Sequence, residues 1–289
     1  RLADRQGITV GNMYQIIDQQ TVTAYPTEDL DALTAGFVCV RNLQKNEGFF
    51  NGAWCIGHEN WTMYKEIGLK FSICTMSDSL ISRARNQMAA KFLANKEFTH
   101  LMFIDCDLGF KGDDIIKMLW HEKEIMTAAY PIKNINWEQV GENARSGMDN
   151  GKLLENSLRF VVNTVKDKDS NNVEVNNGAI SVYDAGTGFM LIKREVFEKL
   201  IESYPELKYI DDTGGLQEEE LDWTYAFFNS YVDPEKHRFL SEDYGFCRYW
   251  QEIGGKIWTD PSIEMLHLGR LKYQATMLNW LERNAIAKD

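Results

Sequence analysis

Two carboxylates one residue apart, Asp105 and Asp107, close the run HLMFIDCDLGF over residues 100–110. Residues 101–104 are a short apolar run bracketed by Lys96-Glu97 and Gly109, the pattern of a buried strand. Strand alternation points Asp105 and Asp107 to one side and Cys106 to the other. Paired carboxylates at the carboxyl end of a central strand offer hard oxygen ligands to a divalent cation. That end is also the usual ligand crevice of an open α/β sheet. The same residues also read as solvated turn acids, and the tripeptide alone does not choose.

Other groups with chemical potential are spread along the chain. In SDSLISRARN, residues 77–86, Arg83 and Asn86 are three apart and share a helix face. A guanidinium there suits a diphosphate or a carboxylate, and equally a solvated helix surface. Gly186 and Gly188, in YDAGTGFMLIKR, permit close backbone approach to a ligand. Ser241 is placed to cap a helix whose first turn holds Glu242 and Asp243, where acids favour the positive helix end. His267 lies in IEMLHLG.

The elements that must position these groups follow an α/β order. Residues 36–41 and 69–75 read as strands flanking a helix over 55–67, a β-α-β unit ahead of the acidic strand. In the 80s helix, Leu80, Ala84, Met88 and Phe92 fall on one face. A helix starts at 112–114 and a strand runs over 124–130. Residues 132–180 read as an insertion, with a hairpin pairing 158–166 with 173–175. Strand 189–192, helix 195–204, an acidic mobile loop at 211–222, a helix from 242 and a strand at 256–259 complete the core. The expected organisation is an N-terminal extension over 1–33, one domain over 34–270 and a C-terminal helix over 271–289, centred on 273–283.

The length, 289 residues, suits one large domain, and 44% hydrophobic residues is ordinary for a globular protein. No apolar stretch reaches the roughly 20 residues that span a bilayer. A net charge of -12 argues against a broad electrostatic grip on nucleic acid. Five scattered cysteines form no C-x-x-C pair and read as reduced core residues. No secretory leader is read. The expected place is the cytoplasm, that of a host cell if the chain is viral.

Taken together, six stretches resemble the nucleotide-sugar-dependent GT-A glycosyltransferases, in particular a phage- and virus-type branch related to the family-2 enzymes. They are SRARNQMAAKFL, HLMFIDCDLGF, YPIKNINW, GTGFMLIKR, SEDYGFCRYW and HLG, in the family's order from residue 82 to 269. The resemblance implies a GT-A (Rossmann-like) mixed sheet flanked by helices. It implies that Asp105 and Asp107 hold a divalent metal on the donor diphosphate and reach the ribose. It implies that Asp243 is the base of an inverting enzyme, that His267 completes the metal shell, and that Arg83 and Asn86 line the nucleotide side. The Pro-Thr-Tyr-like turn of many members is replaced here by Arg41-Asn42-Leu43.

The chemistry is consistent with that likeness. Transfer from a nucleotide sugar must stabilise a departing diphosphate. Two carboxylates and an imidazole suit Mn²⁺, or Mg²⁺. Arg83, or Arg270 and Lys272 just after His267, add positive charge. Asp243 takes the proton of the acceptor hydroxyl, while Glu242, about 100° around the helix, orients a neighbour. Trp137 and Trp223, with Tyr130, Tyr225, Phe227 and Phe228, either line an acceptor cleft or pack in the core. The expected donor is a UDP-sugar and the expected acceptor a glycan or other hydroxyl. Two rivals stand beside this reading: a metal-dependent nucleotidyltransferase, and a non-catalytic carbohydrate-binding protein on the same fold.

Overall fold

A computed structural model describes residues 34–42, 64, 69–164, 173–269 and 271–286. The expected extension over 1–33, most of the helix expected over 55–67, and Arg270 lie outside the described residues.

The molecule is a mixed α/β fold with helices on a mixed, Rossmann-like sheet. Nine strands among the described residues form the main sheet: β1 (Thr34–Asn42), β2 (Lys70–Asp78), β3 (His100–Asp105), β5 (Ile125–Thr127), β8 (Val162–Thr164), β9 (Val175–Asn176), β10 (Ala179–Ala185), β11 (Phe189–Lys193) and β14 (Ile257–Thr259). Their order is β2-β1-β3-β11-β5-β14-β10-β8, with β9 paired to β10. β1 runs parallel to both β2 and β3, with Val40 opposite Asp105. From β2 the chain returns past β1 to β3, so the order reverses beside β1, the place where ligands bind in such sheets. β11 enters antiparallel between β3 and β5.

β3 is apolar from Leu101 to Ile104, where both its faces are covered. Leu101 and Phe103 join one core cluster with Met88 and Phe92 of α1 (Ile81–Ala94), Phe197 of α4 (Arg194–Ser203) and Phe246 of α6 (Glu242–Glu252). Met102 and Ile104 join the other, with Ile115 and Met118 of α2 (Gly112–Trp120). The expected helices over the 80s, from 112, over 195–204 and from 242 are therefore present, as is the strand ending at Thr259.

Several expectations are corrected. β3 ends at Asp105, and Cys106-Asp107 is a turn, so strand alternation does not aim Asp107. The chain leaves the main sheet there to form β4 (Leu108–Gly109), which pairs with β15 (Glu264–Leu268). The backbone N–H of Leu268 donates to the carbonyl of Asp107 at 2.8 Å. The strand expected over 124–130 is only Ile125–Thr127, and the next residues form β6 (Pro131–Ile135), paired with β7 (Leu158–Phe160). Only part of the expected insertion stands off the sheet, namely β6, β7 and α3 (Trp137–Arg145). The expected 158–166/173–175 hairpin does not form. Its two arms, β8 and β9, each pair with β10, whose buried run gives both an edge.

Residues expected to start the last helix instead form β16 (Lys272–Thr276), antiparallel to β15. Tyr273 and Ala275 are buried while Lys272 and Gln274 are exposed, a period of two that favours a strand. α7 (Met277–Ile286) follows. The acidic loop holds a short helix, α5 (Glu218–Leu221), and is tied to α1. Gln87 Nε2 donates to Asp211 at 2.7 Å and Lys91 Nζ to Glu220 at 2.9 Å.

Candidate active site

The rim of β3 gathers ionisable side chains from five separate stretches of chain. Arg85 of α1 lies at its centre, with a side chain only 4% exposed. Its Nη2 donates to Asp105 Oδ1 at 3.1 Å, and its Nε stands 3.7 Å from Glu242 Oε1. The guanidinium carbon lies 5.4 Å from the centroid of the Phe103 ring. Nε and Nη1 have no hydrogen-bond acceptor. Burial opposes the charge, but Asp105 and Glu242 outweigh it and hold the group protonated.

Glu242 and Asp243 open α6. Burial pushes both carboxyls above the ordinary range, more strongly than Arg85 pulls them down. Asp243 Oδ1 accepts from the Tyr244 backbone N–H at 2.8 Å and from the Ser241 hydroxyl. Ser241 occupies the N-cap position, yet its hydroxyl goes to Asp243 rather than to the helix backbone. A serine expected as a cap thus fixes the rotamer of the neighbouring acid.

Gly186 and Gly188 do open space, but for protein groups. A Cβ at Gly188 would lie 2.7 Å from the Tyr130 hydroxyl oxygen and 2.9 Å from Asp105 Oδ2. The Asp105 backbone N–H donates to the Gly188 carbonyl at 2.7 Å, and the Gly188 N–H to the Tyr130 hydroxyl oxygen at 3.2 Å. Burial keeps the Tyr130 phenol well above its usual pKa, so it stays neutral.

Asp107 has two partners. Lys133 Nζ, on β6, donates to Oδ2, and His267 Nε2, on β15, stands 3.6 Å from Oδ1. Burial would raise the Asp107 carboxyl, but His267 and Lys133 bring it down to about 2. His267 Nδ1 lies 2.7 Å from the Pro131 carbonyl. A carbonyl only accepts, so Nδ1 carries a proton, and Nε2 is the ring nitrogen turned toward Asp107. Between Nε2 and the carboxylate there is a place for a proton on the ring or for a cation. A ring N–H on a backbone carbonyl is also how metal-bound histidines are oriented. The donor set, hard oxygens with one imidazole, fits Mn²⁺ or Mg²⁺. Among the described residues, however, no three His, Cys, Asp or Glu side chains are already gathered for a metal ion. Asp107 and His267 face each other, while Asp105 is turned onto Arg85.

The remaining expected residues sit elsewhere. Arg83 forms a paired contact with Asp78, at 2.7 Å and 2.6 Å. Asn86 spends its carboxamide on the backbone of Phe228, donating to its carbonyl at 3.2 Å and accepting from its N–H at 2.9 Å. Lys272 is exposed on β16. Trp137 is 69% exposed at the start of α3, and Trp223 packs half-buried against the main core. Phe227 and Phe228 are wholly buried, the latter 4.5 Å from Phe246 between ring centroids, so these two belong to the core. Arg85 and Lys133 were not among the expected site residues. For Arg85 a signal existed. It falls about 100° from Ala84, inside the buried arc that runs from Ala84 through Met88 and Phe92 to Ala89 and Leu93. A charge in the middle of an apolar stripe needs a buried partner.

The sheet order and acidic rim define a Rossmann-like α/β protein with charged groups converging at the carboxyl end of its central strand. The sequence matches no protein-family model, and no curated protein is close enough to count as a match. Solved structures give loose likenesses. A197 from STIV has a TM-score of 0.40 at 15% identity, over 82% of this chain and 86% of that one. A putative glucose-1-phosphate thymidylyltransferase from Bacillus anthracis, in complex with a sucrose, has a TM-score of 0.35 at 13% identity, over 89% and 96%. Likenesses this loose carry no inference about activity, and none is drawn from them. Among the described residues, no helix is long and apolar enough to cross a membrane.

Proposed function

We infer that this chain is a metal-dependent glycosyltransferase that moves a sugar from a nucleotide sugar, expected to be a UDP-sugar, to an acceptor hydroxyl with inversion. The observation that carries this reading is the His267 ring. Its Nδ1 proton on Pro131 leaves Nε2 facing Asp107, a pairing suited to a divalent cation. Asp107 and His267 would hold Mn²⁺ or Mg²⁺, with Asp105 as the third ligand once it turns from Arg85. Bound there, the metal supplies Lewis-acid stabilisation to the departing diphosphate.

The protein's own groups do the rest. Arg85 holds its charge in a water-poor setting with two N–H groups lacking acceptors, a pre-set donor pair for an anion. Asp243 takes the proton of the acceptor hydroxyl as that oxygen bonds to the anomeric carbon and the diphosphate leaves. Its raised pKa makes it a better base than an exposed aspartate. Ser241 and the Tyr244 N–H fix its orientation.

The test is release of nucleoside diphosphate from a panel of nucleotide sugars with and without Mn²⁺. Metal-dependent release is expected, with Asp243→Asn cutting transfer by about 10²–10⁴-fold while nucleotide-sugar binding persists. NMR of the product anomer reads the stereochemistry. Pyrophosphate release from a nucleoside triphosphate would replace this reading with nucleotidyl transfer. Metal-blind sugar binding without turnover would replace it with a carbohydrate-binding role.

A further inference from the structure

Lys133 is the least expected member of the site. It projects from β6 two residues after Pro131, the residue whose carbonyl sets the His267 tautomer. Its stem runs over Gly269, where an added Cβ would lie 3.1 Å from Lys133 Cδ and 3.2 Å from Tyr273 Cε2. The lysine is thus steered toward Asp107 by the packing of β6 on β15 and β16. Its ammonium covers Asp107 Oδ2, while His267 Nε2 faces Oδ1 at 3.6 Å. Both oxygens of the carboxylate have partners, and Asp105 is taken by Arg85. Asp105 and Asp107 are each neutralised by a side chain of the protein itself.

We propose that Lys133 is a built-in stand-in for the divalent cation, seated on Asp107 until donor arrives and then transferred to the donor's diphosphate. This rests on reading the Asp107–His267 pair as a cation site. A dication and an ammonium on one carboxylate repel, so metal alone must displace Lys133 and leave it without an anion. A nucleoside diphosphate brings the anion that receives the displaced ammonium. Metal and diphosphate therefore bind with positive coupling, and the coupling is reciprocal. The consequence is a site that holds metal weakly when empty of donor. Lysine suits this transfer because its ammonium is a compact charge on a flexible stem, able to exchange one oxygen anion for another.

The experiment is titration of the full chain with Mn²⁺, followed by the electron paramagnetic resonance of free Mn²⁺, with and without UDP. In the wild type, UDP is expected to tighten Mn²⁺ binding on the order of tenfold. Lys133→Met is expected to bind Mn²⁺ about tenfold more tightly than wild type without UDP, and to gain less from UDP than the wild type does. Lys133→Arg, which keeps the charge, is expected to follow the wild type. Equal Mn²⁺ affinity in wild type and Lys133→Met overturns the role of Lys133 but leaves the metal site standing. Tighter binding in Lys133→Arg as well would show that shape rather than charge is at work, and also overturns it. Absence of Mn²⁺ binding in every variant overturns both this proposal and the metal-dependent reading.

Discussion

Two buried arginines, each paired with an aspartate, contact α6 or belong to it, and they are built differently. Arg248 of α6 reaches Asp184 of β10, whose side chain is fully buried. Asp184 also accepts from Asn163 at 2.8 Å and pairs with Arg238 at 3.4 Å. Arg248 Nη1 donates to Gln251 at 2.6 Å, and its guanidinium carbon lies 3.6 Å from the centroid of the Tyr183 ring. That pair pins α6 to the sheet and leaves only Nε idle. Arg85 is as deeply buried, yet it has one hydrogen-bonded carboxylate, itself 29% exposed, and two idle nitrogens. Buried polar groups are normally satisfied, so idle buried donors are the exception. The first pair holds the scaffold; the second leaves two donors uncommitted.

The contrast breaks most sharply under substitution. Arg85→Met is expected to lower kcat/KM on the order of 10²–10³-fold by removing donors aimed at the leaving group. Arg248→Met should leave the turnover of folded protein nearly unchanged, and exchange of the two outcomes would sink the comparison. The price of Arg248→Met is stability instead: about 3 kcal/mol, read by denaturant unfolding, because a buried carboxylate loses its main partner.

Titration gives smaller, finer readings. Glu242 is raised in the folded state, so the fold binds more protons than the unfolded chain above the ordinary value of 4.5. Stability is therefore lost as pH rises through that window. Glu242→Gln removes the loss, and its melting temperature relative to wild type is expected to climb between pH 4 and pH 7. A constant difference would mean that Arg85 neutralises Glu242 fully. Asp107 behaves in the opposite sense. Its carboxyl drops from 3.8 to about 2, so the stabilisation is whole above pH 4 and vanishes as the pH falls through 2. Lys133→Met should shrink that acid-side loss, the smallest effect of the set.

Much of the fold was legible because its signals are local. The apolar run of β3, the stripe of α2 and the acids opening α6 each survive folding as read. What failed was non-local. Residues 273–276 alternate like a strand, but only the presence of β15 beside them makes a strand the better choice. Asp107 was placed by a strand period that ends two residues too soon, since nothing within residues 100–110 announces that the chain departs for β15. At the rim, Asp105, Glu242, Asp243 and His267 were expected from type and order, and the fold brings them to one end of β3. Arg83 was preferred to Arg85 because spacing identifies a shared face without saying which face is buried. Lys133 had no sequence signal, since its partner is 26 positions away.

The residues of this rim are contributed from position 85 to position 267, and the imidazole arrives with the second-last strand of the described chain. During synthesis the ribosome therefore releases Arg85, Asp105 and Asp107 long before the histidine that faces the turn. For most of translation the acidic turn exists without its imidazole. A chain ending between β14 and β15 would hold all nine strands of the main sheet and lack His267.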